Sequence, residues 1–176
     1  MDHHGGVSIG GSLRMRLALF QPDIPQNVGA AIRLSACLNV ALDVIQPCAF
    51  PLDDRSLKRA ALDYGPLAHL TRHASWSDFL AARPATARLV LLTTRGDTLF
   101  PDVVFRPDDI LLMGAESAGA PAHVHAAAAI RLRIPLAAGA RSLNVVTAAT
   151  LALGEALRQN NAFPPDPPFR DAGPLP

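Results

Sequence analysis

The chain has 176 residues, enough for one domain with a substantial hydrophobic core, and 49% of its residues are apolar. Its formal net charge is +1, so the molecule as a whole is not a polycation, and RNA binding would need a local basic patch. Apolar runs stay below the roughly 18 residues of a membrane span, and the first residues lack the charged and apolar regions of a secretory signal. We therefore expect a cytoplasmic protein with no membrane partner.

The two ends of the chain differ in composition from the middle. Residues 1–14 are rich in Gly, Ser and His, and residues 162–176 are rich in proline. Such compositions are typical of flexible or extended segments. The sequence therefore predicts a flexible N-terminal tail over 1–14, one folded domain over 15–161 and a Pro-rich tail over 162–176.

Between the tails, short apolar runs alternate with helical patterns. The predicted strands are residues 16–20, 42–45, 67–73, 88–94, 109–114 and 130–135. The predicted helices are residues 27–38, 53–61, 75–83 and 143–159, and the third has Ser75 or Ser77 as its cap. Strands that alternate with helices predict an α/β fold, in which a parallel sheet carries helices on both faces.

Three small, polar, glycine-bearing loops follow the last three predicted strands, at residues 93–96, 114–121 and 135–144. Ligands of open parallel sheets bind beyond the carboxyl ends of the strands, and glycine lets a backbone approach a ligand closely. The chain has neither the GxGxxG dinucleotide pattern after its first strand nor the GxxxxGK[ST] phosphate loop. A nicotinamide-dependent dehydrogenase is therefore disfavoured.

Three short patterns occur in order along the chain. They are Asn27-x-Gly29-x-x-x-Arg33, Gly114-x-Glu116-x-x-Gly119 and Ser142-Leu143-Asn144. With these patterns at these spacings, residues 15–161 resemble the SPOUT superfamily of RNA methyltransferases. Within it, the chain is most similar to the compact tRNA enzymes that methylate the ribose 2′-oxygen of the wobble nucleotide, position 34, which is a cytidine or a modified uridine.

The resemblance implies more about the fold than composition does. It implies a deep trefoil knot at the C-terminal end, S-adenosylmethionine as co-substrate without a metal, tRNA as partner, and a homodimer through the last helix. That helix, residues 143–159, is apolar almost all round and begins at several polar residues. In the family, the polar entry lies inside the knot and a second copy covers the outer side. The alternative is a central helix inside a monomer.

The resemblance also implies roles for individual residues. The implied catalytic residues are Asn27, Arg33, Ser142 and Asn144. The implied donor-binding residues are Leu92, Thr93, Gly114, Glu116, Ile134, Ser142 and Leu143. The candidate RNA-binding residues are Arg55, Lys58, Arg59, Arg72, Arg95 and Arg141. The first three of these share one face of the predicted helix 53–61, where a merely solvated surface is an equal explanation.

Several of these assignments have simpler alternatives. The family associates Arg33 with the 2′-hydroxyl, but a guanidinium is a poor base because its pKa exceeds about 12. Arg33 therefore either acts as a base in a special environment or orients the hydroxyl, and a surface salt bridge is the plain alternative. Asn27, Ser142 and Asn144 are also suited to cap helices, and we expect Glu116 to organise its loop.

Three positions depart from the pattern of the similar tRNA enzymes. Gly154 stands where these enzymes commonly have an aromatic residue, Gly65 where they often have His, and Ala118 where Arg is frequent. The changes affect groups suited to hold RNA and leave the expected donor pocket intact. Two other functions stay open: 2′-O-methylation of another tRNA or rRNA nucleotide, and a non-catalytic RNA-binding dimer of the same fold.

Overall fold

The computed structural model describes residues 15–52, 64 and 68–165, and this part of the chain forms one sheet of seven strands. The strands are β1 (Arg16–Phe20), β2 (Ala41–Ile45), β3 (Leu70–His73), β4 (Leu89–Leu92), β5 (Thr98–Leu99), β6 (Ile110–Met113) and β7 (Ile130–Arg133). The α-helices are α1 (Pro25–Cys37), α2 (Trp76–Ala82), α3 (Ala122–Ala127) and α4 (Val145–Gln159). The predicted α/β class is confirmed.

Every pair of neighbouring strands in the sheet is parallel. The order is β3-β2-β1-β6-β4-β7-β5. Because all the strands run in one direction, their carboxyl ends lie along a single edge of the sheet. The loops after β1, β6, β4 and β7, which are successive neighbours, therefore emerge side by side.

Side chains alternate between two faces of the sheet, and helices cover both. On β1, Leu17 and Leu19 belong to the core shared with α1 and α4, while Ala18 and Phe20 belong to the core shared with α2 and α3. The central strand β6 is buried along its whole length. Strands covered on both faces read as continuous apolar runs, which explains its sequence ILLM.

The helix starts confirm some expected caps and correct others. α1 begins at Pro25, because proline suits the first helical position, so Asn27 lies inside the first turn and the expectation that it caps the helix is wrong. Asn144, and not Ser142, caps α4: its side-chain oxygen accepts hydrogen bonds from two backbone N–H groups, at 2.9 and 3.2 Å. Ser75 caps α2 as predicted.

The strands differ from the predicted ones in length and number. Strand β5 and the 3₁₀ turn after it, Phe100–Asp102, were not predicted, because two extended residues carry no readable alternation. Strand β4 ends at Leu92, so Thr93 belongs to the following loop. The predicted helix 53–61 lies outside the described residues, as do residues 1–14 and 166–176. The boundaries of the domain and its tails therefore stay predictions.

Helix α4 is buried on one side within this chain. Ala149, Leu153 and Ala156 pack into the core, whereas Leu151 on the outer side is 46% exposed. Beside it, Gly154 has open space where a side chain would stand. None of the described helices combines the length and apolar character that a membrane crossing requires.

A buried charge cluster joins the first three strands. Asp43 on β2 is 1% exposed and accepts two hydrogen bonds from the Arg16 guanidinium on β1, at 2.6 and 2.7 Å. His73 at the end of β3 contacts the same carboxylate through Nε2 at 2.7 Å. A buried carboxylate needs such partners, because an unpaired buried charge is costly. The cluster therefore helps to fix the register of these strands.

We expect Arg16→Met to lower the free energy of unfolding by about 3 kcal/mol, because it leaves the buried Asp43 carboxylate with one partner fewer. Arg131→Met is the matched control, since Arg131 pairs with Asp97 where both side chains are about half exposed. For this surface pair we expect a loss below about 1 kcal/mol. Urea unfolding measures both, and equal losses would contradict a special contribution from the buried cluster.

Candidate functional site

A cleft of about 540 Å³ opens at the carboxyl edge of the sheet. Its walls come from the loops after β4, β6 and β7, together with the first turn of α1 and the start of α4. This volume falls within the range of roughly 300–1,000 Å³ that is usual for small-molecule sites. The structure thus brings the three glycine-bearing loops around one space.

The cleft contains every residue that the resemblance associates with the donor. These residues are Leu92, Thr93, Gly114, Glu116, Ile134, Ser142 and Leu143. Asn27 and Asn144 line it as well. Sequence analysis did not single out several other lining residues, which are Ile24, Met113, Ala115, Ser117, Leu136 and Val145. Most of these are next to an assigned residue in the sequence, and this adjacency was the one sign that they would line the site.

A series of side-chain hydrogen bonds joins three elements around the cleft. Glu116, in the loop after β6, accepts a hydrogen bond from Asn27 Nδ2 on α1 at 2.8 Å. Asn27 Oδ1 in turn accepts a hydrogen bond from Asn144 Nδ2 at 3.1 Å, and Asn144 caps α4 with its side-chain oxygen. We call Glu116, Asn27 and Asn144 the amide bridge. Each amide uses both its oxygen and its nitrogen, so the orientations of both side chains are fixed.

Asp23, just before α1, fastens the same loop. Its backbone N–H donates to Glu116 Oε2 at 3.0 Å. Its carboxylate accepts hydrogen bonds from the backbone N–H groups of Glu116 at 3.2 Å and Ser117 at 3.1 Å, and from the Ser117 hydroxyl. None of the sequence patterns includes Asp23. No local pattern could reveal a contact between residues more than ninety positions apart.

The two neighbouring carboxyl groups differ in acidity. The interaction with Glu116, followed by the hydrogen bond from Ser117, lowers the pKa of Asp23 to about 2. Burial, followed by the interaction with Asp23, raises the pKa of Glu116. Glu116 is therefore the first of the pair to take up a proton as the pH falls. Burial, reinforced by the charge of Glu116, also raises the pKa of the nearby Cys48 thiol to about 11.

Gly114 allows the loop after β6 to close on itself. Ala115 and Gly119 exchange two backbone hydrogen bonds, at 3.1 and 2.8 Å. A Cβ atom on Gly114 would stand 2.6 Å from the Gly119 carbonyl carbon and 2.7 Å from the Ala120 nitrogen. Gly119 itself has a φ of +70°, which favours glycine. Loop closure alone thus accounts for both glycines of the Gly-x-Glu-x-x-Gly pattern.

The three candidate RNA-binding residues that the structure describes are not gathered in one place. Arg95 and Arg141 line the cleft. Arg72 lies on β3, the edge strand beyond β2, and its guanidinium donates to the Leu52 carbonyl at 3.1 Å. The remaining three candidates, Arg55, Lys58 and Arg59, lie outside the described residues. Of the three described candidates, the structure therefore brings two, Arg95 and Arg141, to the cleft.

Arg33 does not line the cleft of its own chain. It is exposed on α1, six residues beyond Asn27 and so about 9 Å further along the helix axis. Its guanidinium carbon lies 4.8 Å from the centre of the Tyr64 ring, which is a cation–π contact. The structure therefore separates Arg33 from Asn27, Ser142 and Asn144, with which the resemblance groups it.

The cleft walls favour an organic ligand with an apolar part and a polar part. Leu92, Ile134, Leu136 and Leu143 supply apolar surface, and the loops supply backbone groups, amides and two arginines. Such a mixture is usual for small-molecule and cofactor sites. Among the described residues, no group of three or more His, Cys, Asp or Glu side chains is arranged to hold a metal ion.

The sequence matches the family described as the SpoU rRNA Methylase family over residues 14–154. The chain belongs to the SpoU methylase family. The resemblance to SPOUT RNA methyltransferases is thereby confirmed. A similar protein from Beijerinckia indica subsp. indica, named tRNA (cytidine(34)-2′-O)-methyltransferase, is 54% identical over 148 residues. The match covers 84% of this chain and 92% of that protein.

Solved structures agree with this SpoU methylase assignment. One, described as giving structural insights into the 2-OH methylation of C/U34 on tRNA, is 41% identical with a TM-score of 0.79, and the match covers 84% of this chain and 96% of that one. Another is the SpoU methyltransferase AviRb from Streptomyces viridochromogenes in complex with AdoMet. It is 29% identical with a TM-score of 0.73, over 87% of this chain and 63% of that one.

In this SpoU methylase we expect Gly114→Ala to lower the free energy of unfolding by about 1–3 kcal/mol, because the new Cβ would press on backbone rather than on a movable side chain. Ala118→Ser, an exposed change in the same loop, is the control and should alter stability by less than about 0.5 kcal/mol. Urea unfolding of both variants gives the comparison. A Gly114→Ala protein as stable as the control would show that the loop relaxes freely.

Proposed function

We propose that this SpoU methylase transfers a methyl group from S-adenosylmethionine to the ribose 2′-hydroxyl of nucleotide 34, the wobble nucleotide, in tRNA. The observation that carries the proposal is the 54% identity, over 84% of the chain, to a protein named for this reaction. A similar structure described by the same modification, for C or U at position 34, supports it. The cleft supports the donor, because the residues assigned to it line one space.

The cleft fits such a donor on the evidence of its own residues. Leu92, Ile134 and Leu143 supply apolar surface suited to the adenine ring. Thr93, Ser142 and the backbone around Glu116 supply hydrogen-bond partners for the polar parts. Bound S-adenosylmethionine supplies a methyl group already activated by a positively charged sulfur, so the chemistry needs no metal. The AdoMet complex of the similar AviRb protein agrees with this choice.

The protein's own contribution is to hold the ribose in place and to stabilise the 2′-oxygen as the hydroxyl proton passes to solvent water. Good alignment of reacting groups can supply about 7–11 kcal/mol of the barrier in favourable cases. The amide bridge presents Asn27 and Asn144 at the cleft in fixed orientations, beside Ser142, and these groups orient the nucleotide. Arg33 stabilises negative charge developing on the 2′-oxygen, a role that suits a permanently charged guanidinium.

Arginines at the cleft and beyond it hold the tRNA. Arg95 and Arg141 stand at the cleft and bind phosphates next to the target nucleotide. Arg72 lies at the far side of the sheet, and the predicted basic face formed by Arg55, Lys58 and Arg59 extends the contact. Such phosphate contacts fix position and orientation without reading sequence.

The enzyme acts as a homodimer through α4, and Arg33 of each subunit serves the cleft of the other. Leu151 leaves apolar surface exposed on the outer side of α4, and Gly154 leaves room for a second helix to approach closely. Helices α1 and α4 pack together on one face of the sheet, so the exposed side of α1 borders this surface. That Arg33 does not line its own cleft also supports this arrangement.

The chain adopts the trefoil knot of the SPOUT fold and acts in the cytoplasm, where mature tRNA is used. Contacts at the end of α4 support the knot. Gln159 accepts a hydrogen bond from the Phe105 N–H at 2.8 Å and donates to the Val103 carbonyl at 3.1 Å. The segment between β5 and β6 is therefore bound to the last helix, as a loop surrounding that helix would be.

Incubation of the purified protein with S-adenosylmethionine and total tRNA should add one methyl group to the ribose of nucleotide 34, located by mass spectrometry of nuclease fragments. A tRNA with a 2′-deoxyribose at this position should receive none. Arg33→Ala should lower the rate by about 100-fold or more while leaving donor affinity unchanged. Methylation only of ribosomal RNA, or of another tRNA position, would contradict the assigned target, and donor binding with no methylated RNA would favour the non-catalytic alternative.

Mixed dimers test whether the subunits share Arg33. One differently tagged subunit carries Arg33→Ala and the other carries Gly114→Val, whose side chain would displace the loop that forms one wall of the cleft. If Arg33 serves the partner's cleft, the symmetric arrangement leaves one complete site, and the mixed dimer should have about half of the wild-type activity. Homodimers of either variant should be inactive. An inactive mixed dimer, or a monomeric wild-type protein in analytical ultracentrifugation, would contradict the shared site.

A further inference from the structure

Asp23 belongs to none of the motifs, yet it is bound to the loop that forms one wall of the cleft. Its carboxylate accepts three hydrogen bonds from this loop: two from backbone N–H groups of Glu116 and Ser117 and one from the Ser117 hydroxyl. Its own N–H donates to the Glu116 carboxylate. The acidic group is therefore a connection between the start of α1 and the middle of a distant loop.

The hydrogen bonds of Asp23 act at the turn of the loop after β6, where they can fix the Glu116 side chain. The loop is closed at its base by the Ala115–Gly119 pair, which leaves Glu116 and Ser117 at the turn. Glu116 must hold one carboxylate oxygen towards Asn27 for the amide bridge to form. Asp23 holds both the backbone and the second carboxylate oxygen of Glu116, so it restricts the rotation of that side chain.

We propose that Asp23 is a positioning residue for donor binding: it fixes Glu116 and the loop that forms one wall of the cleft, and through the amide bridge it also keeps Asn27 and Asn144 facing the cleft. Asp23 does not itself line the cleft, so its effect passes through Glu116. The inference rests on the proposed use of this cleft for S-adenosylmethionine. Hydrogen bonds to a charged group are among the stronger ones in proteins, which suits a connection that must survive ligand exchange.

The charges around Glu116 give this role a pH signature. The ionisable groups near it are Asp23 before α1 and the Cys48 thiol after β2, while Arg95 and Arg141 stand on other loops of the same cleft. Glu116 supports the amide bridge as a hydrogen-bond acceptor, and protonation removes part of this capacity. Burial and then Asp23 favour the protonated form. Loss of the Asp23 charge should therefore move the protonation of Glu116 to lower pH.

The test measures binding of S-adenosylmethionine to the full chain by titration calorimetry between about pH 4 and 8, a range that spans carboxyl titration. We expect Asp23→Ala and Asp23→Asn to weaken donor affinity at neutral pH by about tenfold, the loss typical of a charge-assisted hydrogen bond. In Asp23→Asn, the fall of affinity towards acid should begin at a lower pH than in the wild type. Hydrogen exchange of the 114–120 amides should become faster in both variants.

Two further variants define the scale. Asp102→Ala removes an exposed carboxylate that does not line the cleft, and it should leave affinity, pH profile and melting temperature unchanged. Ser117→Ala removes one of the bonds to Asp23 and keeps the backbone bonds, so its loss should be about threefold. Asp23 variants should also keep their tRNA affinity, because the carboxylate is bound to the Glu116–Ser117 turn and does not line the cleft.

Two results would overturn the proposal. The first is wild-type donor affinity and an unshifted pH profile in Asp23→Asn. The second is an equal loss of tRNA affinity and donor affinity together with a lowered melting temperature, which would mark a purely structural residue. If the wild type binds the donor and methylates no tRNA, the proposed reaction fails, while the binding results still decide the role of Asp23. If the wild type does not bind the donor, both proposals fail.

Discussion

The parallel direction of the strands is the constraint on which the site depends. In the order β1-β6-β4-β7, four strands end side by side, and each is followed by a segment that reaches the cleft. Residues that are distant in sequence therefore become neighbours without any special path of the chain. Asn27 and Asn144 are 117 positions apart and are joined by a single hydrogen bond at this edge. An antiparallel sheet would have divided the same loops between two opposite edges.

Contacts within the protein define the shape of the cleft before any ligand enters it. The amide bridge joins α1, the loop after β6 and the start of α4, and Asp23 adds a second connection between the first two. The loop also closes on itself through Gly114 and Gly119. A site prepared in this way loses less conformational entropy when a ligand binds, because its groups are already ordered. The buried Arg16–Asp43–His73 cluster stabilises the same sheet at β1, β2 and β3, at one end of the strand order.

The sequence was sufficient for those features that local patterns encode. Alternating apolar runs and helical segments predict the α/β class, and the small loops after β4, β6 and β7 indicate the edge that carries the cleft. The cap at Asn144 also follows from its position before an apolar helix. The expectation that Asn27 caps α1 was wrong because the helix starts half a turn earlier, at Pro25. The Asn27 side chain is therefore free to donate to Glu116.

Other features depend on contacts that no local pattern contains. Strand β5 is too short to show alternation, and it exists because β7 offers an open edge to pair with. Asp23 and Ser117 are neighbours only because the sheet places β1 beside β6. A motif can associate Arg33 with a reaction, but it does not state which way the side chain extends, and here the guanidinium lies over Tyr64.

Helix α1 carries Asn27 in its first turn and Arg33 almost two turns later. A helix of this length moves as a nearly rigid body, so a displacement at its start is transmitted to its exposed side. An occupant of the cleft that displaces the first turn of α1 would therefore also act on whatever rests against that exposed side. Thermodynamic linkage makes such an effect reciprocal: each occupant changes the affinity of the other by the same factor.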